Sequence, residues 1–254
     1  MPKQNPQKPR SRSRSGGAAA RRAARLHAPI VHLPNAVRMI PTYEVLDAEG
    51  LERIDDTAMG ILETTGIDFR DDRSAEIWRE AGAEVDGHRI RIPRELIRQL
   101  IKTVPEEFDY NARNPDRTVR VGGRNMIFGP AYGTPNVIDL DGVRRQATAD
   151  DMRTLMQLHH VNPAIHYNGG YTQEPMDVAV PHRHLHMVES SFLATDKPIM
   201  GSGQTEYQAQ DSLAMARIVF GEDFVDQNEV MTAFFNGNSP LVWDQSQLES
   251  MRVF

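Results

Sequence analysis

Beyond Asn125 the sequence alternates short apolar runs with helical stretches, and each run ends in Gly, Asn or Ser. That rhythm constrains the fold more than any other feature. Met126-Ile127-Phe128 leads into Gly129-Pro130-Ala131-Tyr132-Gly133 and a hairpin turn at Asp141-Gly142. Thr148 and Asp151 have capping-box spacing and predict a helix through Leu155 and Leu158. A strand over 164–167 ends in Asn168-Gly169-Gly170. A helix over 181–194 precedes Pro198-Ile199-Met200 and then Gly201-Ser202-Gly203. A helix over 208–220 precedes a strand over 230–235, which ends in Asn236-Gly237-Asn238-Ser239, and Asp244 is placed to cap a further helix. Strands that are apolar on both parities and alternate with helices imply parallel pairing with right-handed crossovers. Small polar residues at strand ends are what the active-site face of a (β/α)8 barrel uses. A doubly wound open sheet is the rival, but the GxGxxG turn it usually carries is absent. The fold class is therefore α/β, with residues 122–254 as the first four βα units, the N-terminal half of a (β/α)8 TIM-type barrel. Half a barrel leaves strand edges open, so the sequence predicts a fragment of a longer protein that self-associates through those edges.

Before the barrel lies a helix-rich α+β segment, residues 43–121. Asp47 is placed to cap a helix whose apolar positions Leu51, Ile54, Ala58, Ile61 and Leu62 recur at helical spacing, with Gly66 ending it. A second helix carries Ile77 and Trp78 and stops at Gly82. Asp86-Gly87 then reads as a hairpin turn, because glycine accepts the positive φ it requires. Pro93 opens a third helix that turns Leu96, Ile97, Leu100 and Ile101 inward. Strands are expected over 108–112 and 118–121.

Charge separates the remaining N-terminal piece. Residues 1–25 hold eight of the 29 Lys/Arg and none of the 35 acids, which leaves 21 basic groups against 35 acidic ones, a net of −14. A segment rich in Arg, Ser, Gly and Ala buries too little apolar surface to order itself, so residues 1–25 read as a disordered basic tail. An RNA-binding arm is the sharper reading of that tail, and a solvated, dispensable tail the better-supported one. The acidic body argues against a nucleic-acid partner. With no cysteine in the chain, thiolate metal sites, disulfides and a cysteine nucleophile are excluded. No apolar run is long enough to span a membrane and no secretory signal pattern precedes the body, so a cytoplasmic address is expected.

Six ordered segments carry a family likeness: LERIDDTAMGILETTGIDF, EAGAEVDGHRIRIPRELI, YNARNPDRTVRVGG, GPAYGTPNVIDLDGVRRQAT, LATDKPIMGSG and FFNGNSPLVWD. Together they resemble the opening of trimethylamine methyltransferase family proteins. The resemblance implies a barrel enzyme that moves a methyl group from a tertiary or quaternary amine to the cobalt of a corrinoid carried by a separate, cognate corrinoid protein. No metal would be bound directly. Some members of that family carry pyrrolysine, at a position beyond Phe254, and many lack it.

A quaternary ammonium is held by aromatic faces and negative potential, since it offers no hydrogen bond to make. The strand ends supply the candidates for substrate binding: Tyr132, then Asn168 and Tyr171, then Asn236, Asn238 and Ser239. Gly201, Ser202 and Gly203 are candidates for close approach of cofactor or backbone. Each of these types also serves turns well. The pattern PHRHLH sets His182, His184 and His186 at alternate positions and opens a rival reading, a metal-dependent barrel hydrolase. On a helix, however, alternate residues point apart, and a solvated or capped helix face is the expectation for them. His159-His160 is a weaker metal candidate still, and His166 is expected to be a packed strand residue. A catalytically inactive half-barrel is the third reading.

Overall fold

In a computed structural model the protein is described over residues 17–27, 29–169 and 172–254. Two units separate, Met1–Val31 and His32–Phe254. In the first, Ala18–Leu26 form helix α1 with every residue exposed. Part of the expected disordered tail is thus helical, because Ala and Arg are strong helix formers. Residues 1–16 of that tail lie outside the described residues.

The second unit opens with β1 (Ala36–Val37) and α2 (Ala48–Gly60). Asp47 caps α2 by accepting from Gly50 N at 2.8 Å. A π-helical turn, Ile61–Thr65, follows, and Gly66 ends it at φ +70°. A side chain there would strike the Ile90 carbonyl, so the position requires glycine on two counts. Met59 is buried and Leu62 packs against the core, while Leu51, Ile54 and Ile61 stay exposed. Next come β2 (Ile67–Phe69), α3 (Asp72–Glu80), β3 (Glu84–Asp86), β4 (Arg89–Arg91) and α4 (Arg94–Ile101). The Asp86-Gly87 hairpin joins β3 to β4. Pro93 stands one residue before α4, where its missing N–H costs no helical bond. Ile97 and Leu96 face the core as expected. Leu100 and Ile101 do not: α4 ends at Ile101 and both remain exposed. Strands β5 (Glu107–Tyr110) and β6 (Val119–Gly122) pair antiparallel, and β7 (Asn125–Met126) pairs antiparallel with β1.

The later elements are the hairpin β8 (Asn136–Ile138) and β9 (Arg144–Gln146), α5 (Ala149–Val161), α6 (Val180–Ala194), β10 (Ile199–Met200), α7 (Glu206–Phe220), α8 (Glu222–Gln227), β11 (Met231–Thr232), β12 (Val242–Trp243) and α9 (Gln245–Met251). The predicted capping box is present on α5: Asp151 N donates to Thr148 Oγ1 at 3.2 Å and Thr148 N to Asp151 Oδ2 at 2.9 Å. Asp244 sits at the start of α9 but gives it no side-chain cap, because its carboxylate takes the amide of Asn238 instead.

The architecture is mixed α/β. A regular four-strand half-barrel is not what the ladders draw. β10 and β11 pair parallel, but 164–167 forms no strand and β7 takes an antiparallel partner. The expected strand segments nonetheless lie side by side in chain order. His166 N donates to the Phe128 carbonyl and Phe128 N to the His166 ring, Asn168 bridges Ile199 in parallel, and Ile199 pairs with Met231. Val188, Phe192, Ile199, Ala216 and Val230 form a core between α6, α7 and these strands, and Met152, Met156 and Met187 pack α5 on α6. Tyr110, buried on β5, ties the upstream segment to that core by donating to the Ile199 carbonyl.

One sheet crosses the boundary drawn from the sequence. Its strand order is β12-β2-β4-β3, with β12 parallel to β2. Leu248 and Trp243 complete the core built on Met59, Phe69, Ile90, Ile92 and Ile97. Arg252 bonds buried Asp71 at the start of α3, Nη1 to Oδ2 2.6 Å. Among the described residues no helix is long and apolar enough to cross a membrane.

Candidate functional site

Two of the expected strand ends, at Tyr132 and at Asn236, converge on one hollow of about 520 Å³, lined by Tyr132, Gly133, Glu174, Gln204, Thr205, Phe234, Asn236, Ser246 and Gln247. Tyr132 is held by the Gly/Pro turn after Phe128. Its ring meets Phe234 edge to face, centroids 5.7 Å apart. Gly169 lies beside it, and a side chain there would sit 3.6 Å from the Tyr132 ring. Glu174 is set by the Thr134–Gln173 bridge and by its own N–H donating to the Thr134 carbonyl at 3.0 Å. Arg183, near the start of α6, faces its carboxylate at 3.4 Å. Across the hollow, Gln247 on α9 accepts from Asn236 N at 3.3 Å and donates to the Gln204 carbonyl at 3.4 Å. Two aromatic rings, one carboxylate and several amides therefore face one space. That combination suits a small organic cation with a polar end.

The remaining expected residues are placed differently. Asn168 is fully buried and does not line the hollow. Its backbone pairs with Pro198 and Met200, and its Oδ1 lies 3.2 Å from His159 Nδ1. Burial, more than the nearby Lys197, holds His159 below the usual imidazole range, against the opposing pull of Asn168. Asn238 and Ser239 form an exposed turn, in which Asn238 pairs with Val242 and gives its amide to Asp244. Tyr171 lies outside the described residues. Gly201, Ser202 and Gly203 are buried. A side chain at Gly201 would strike Met231 Sδ, and one at Gly203 would crowd Ala233 and Phe235. The groups that approach these glycines are thus the protein's own side chains, on β11, just after it and on α7. Ser202 N donates to the Ser212 hydroxyl of α7 at 3.0 Å.

The histidine pattern lies on α6, and one expectation for it changes. His184 is no solvated face: it turns inward, with Nε2 2.7 Å from Asp211 Oδ2 and its ring edge-on to Tyr207. Among the described residues no group of three or more His, Asp or Glu is arranged to hold a metal ion. His166 is packed as expected, accepting from Phe128 N at 3.0 Å, though outside any strand.

Sequence reasoning missed Glu174, Gln204, Phe234 and Gln247. Phe234 had a signal, since it precedes Asn236 at the same parity along the expected strand. Glu174 follows the Gly169-Gly170-Tyr171 sequence and carries no periodicity.

Comparison with known proteins bears on this arrangement. A family described as trimethylamine methyltransferase (MTTB) matches residues 13–254. The chain is 34% identical over 218 residues to the glycine betaine methyltransferase of Desulfitobacterium hafniense (strain Y51), covering 85% of this chain and 46% of that protein. It is 27% identical over 111 residues to the L-carnitine:corrinoid methyltransferase of Eubacterium limosum, covering 43% of this chain and 22% of that one. With the proline betaine:corrinoid methyltransferase of the same organism it shares 23% identity over 154 residues, 60% of this chain and 32% of that protein. The chain thus spans about half the length, or less, of the curated relatives it matches.

Proposed function

Because the chain belongs to the trimethylamine methyltransferase family, we propose that it serves corrinoid-dependent methyl transfer, with the hollow at Tyr132 receiving the methylated amine. The observation that carries this reading is the meeting of Tyr132, Phe234 and Glu174 around one space. A quaternary ammonium spreads its charge over its methyl groups. It is bound by ring faces and by a carboxylate at a distance, without a hydrogen bond. Gln204, Asn236 and Gln247 would take the polar end of a betaine-like donor. That division fixes the cationic end against the rings and orients one methyl outward.

The corrinoid, carried by a separate partner protein, supplies the nucleophilic metal that accepts the methyl group. This chain's part is to hold the cation, to align it and to exclude water. A tertiary amine leaves neutral from a quaternary donor, so no general base is needed, and the hollow holds no histidine. The side-by-side order of Phe128, His166–Asn168, β10 and β11 supports reading 122–254 as successive βα units of a barrel, with residues 43–121 as a layer against it.

Binding tests the reading directly. Titration of the chain with glycine betaine, followed by calorimetry, should show saturable binding that Glu174→Gln and Tyr132→Ala each weaken. Binding with unaltered affinity in both variants would remove the hollow from the proposal. Demethylation of a donor panel in the presence of reduced corrinoid protein would then identify the amine.

A further inference from the structure

Arg117, which does not line the hollow, is 9% exposed, yet its guanidinium makes no hydrogen bond to any described residue. Its ion pair with Asp196 is long, Nε to Oδ1 3.8 Å, and Nη1 is buried without a partner. A buried guanidinium presents five N–H donors in a fixed fork, and leaving them unmet is costly. The neighbours do not satisfy it. Lys197, also buried, spends its ammonium on the carbonyls of His159, Asn162 and Ile165. Asp196 gives Oδ2 to Asn114 Nδ2 at 2.9 Å, while its Oδ1 makes only ion-pair contacts, 3.5 Å to His160 Nδ1 and 3.8 Å to Arg117 Nε, and is buried without a hydrogen-bond partner among the described residues. Two buried cations therefore face one carboxylate, with exposed Arg113 adding to the positive side by bonding the Thr195 carbonyl. His32 Nδ1 is a further buried polar atom here without a hydrogen-bond partner among the described residues. After burial itself, the cations of Arg117 and Lys197 are what hold His32 below the usual imidazole range.

We propose that this cluster is a binding site for a small oxyanion, phosphate-like or carboxylate-like, held by the fork of Arg117 with His32 as a second donor. Arginine pairs such groups in bidentate geometry. The anion would sit on the Nη edge, since Asp196 Oδ1 faces Nε and would repel it. One negative charge would balance the excess buried cation. The site is distinct from the hollow and does not depend on methyl transfer.

Thermal unfolding of the whole chain, in inorganic phosphate or acetate against sodium chloride at matched ionic strength, tests it. The midpoint should rise saturably by roughly 2 to 6 °C with at least one oxyanion, and which salt acts separates phosphate from carboxylate. Arg117→Gln should abolish the response, and Arg113→Gln should retain it. If Arg117→Gln does not fold, His32→Phe provides the reading, with a half-saturating concentration raised about fivefold or more. No response of the wild-type chain beyond chloride, or the same response in Arg117→Gln or His32→Phe, overturns the proposal. So does a crystal grown in phosphate that shows only water at Nη1.

Discussion

Lys197→Met should change how stability depends on pH, and the size of the change follows from the lysine's surroundings. Lys197 is 2% exposed, and its Nζ donates to three carbonyls, 2.7 Å to His159, 2.9 Å to Asn162 and 2.6 Å to Ile165. It thereby satisfies the last turn of α5 and the chain leaving it. Burial first, and Arg117 second, push its pKa down to about 8 from an ordinary 10.5, although Asp196 opposes them. In the unfolded chain the ammonium keeps its proton up to the ordinary value. Below pH 8 both states are charged, and the cost of burying the charge is fully present. Between pH 8 and 10.5 the folded lysine releases its proton while the unfolded one holds it, so stability rises with pH. The gain is about 3 kcal/mol across that window, at roughly 1.4 kcal/mol per unit. Lys197→Met lacks this dependence. It also leaves three carbonyls without a donor, which costs about 2–4 kcal/mol at pH 7. Urea unfolding at pH 7, 8.5, 9.5 and 10.5, followed by the fluorescence of Trp78 and Trp243, should show the wild-type advantage widening with pH. Titrations common to both proteins cancel in the difference. An advantage that stays constant, or narrows toward pH 10.5, would refute the assignment of a depressed pKa to this buried lysine.

Other perturbations probe separate parts of the structure. Arg252→Met removes the partner of Asp71, a buried carboxylate that also accepts from Ser74, and should cost about 3 kcal/mol at neutral pH by chemical unfolding. Burial alone would raise Asp71, but the bonds from Arg252 and Ser74 outweigh it and hold the carboxyl below its usual range. The wild-type advantage over Arg252→Met should therefore be full above the usual carboxylate range and shrink as pH falls through the lowered value. Gly201→Ala drives a methyl group into Met231 and should lower stability by roughly 1–3 kcal/mol, with Met231→Ala in the same chain recovering part of it, as read by thermal unfolding. Tyr132→Ala should weaken binding of a quaternary ammonium by about 5- to 30-fold, or roughly 1–2 kcal/mol, in calorimetric titration.

What could be read from the sequence was mostly local chemistry. The Thr148–Asp151 box, the Asp47 cap, the Gly66 stop and the Asp-Gly hairpins each depend on residues within four positions of one another, so their signals survive without tertiary knowledge. Exposure was less legible. Leu51, Ile54, Leu100 and Ile101 carry helical spacing, yet periodicity says only which residues share a face and not what covers it. The strand expected over 164–167 is absent because His166 bonds Phe128 through its side chain as well as its backbone, while the ladder bridge falls one residue past that run, at Asn168. The hollow was half legible. Tyr132 and Asn236 were expected from strand-end position, but Glu174 and Gln247 arrive from segments whose placement depends on distant partners.

Gln247 shows what the upstream layer does for the hollow. Its side chain bridges Asn236 and Gln204, two of the walls, so its position sets their spacing. It rides on α9, whose neighbouring Leu248 is buried in the upstream core and whose C-terminal Arg252 is fixed to Asp71. The strand before α9 completes the upstream sheet beside β2. A helix held by a sheet pairing, a buried leucine and a buried ion pair cannot shift without breaking at least one of them, and each break costs on the order of 1–3 kcal/mol. Residues more than 150 positions earlier in the chain thus fix one wall of the site. The layer that the sequence presents as a separate segment works as the mount for α9, and substitutions at Asp71 or Arg252 should be felt in ligand binding at Tyr132 as well as in stability.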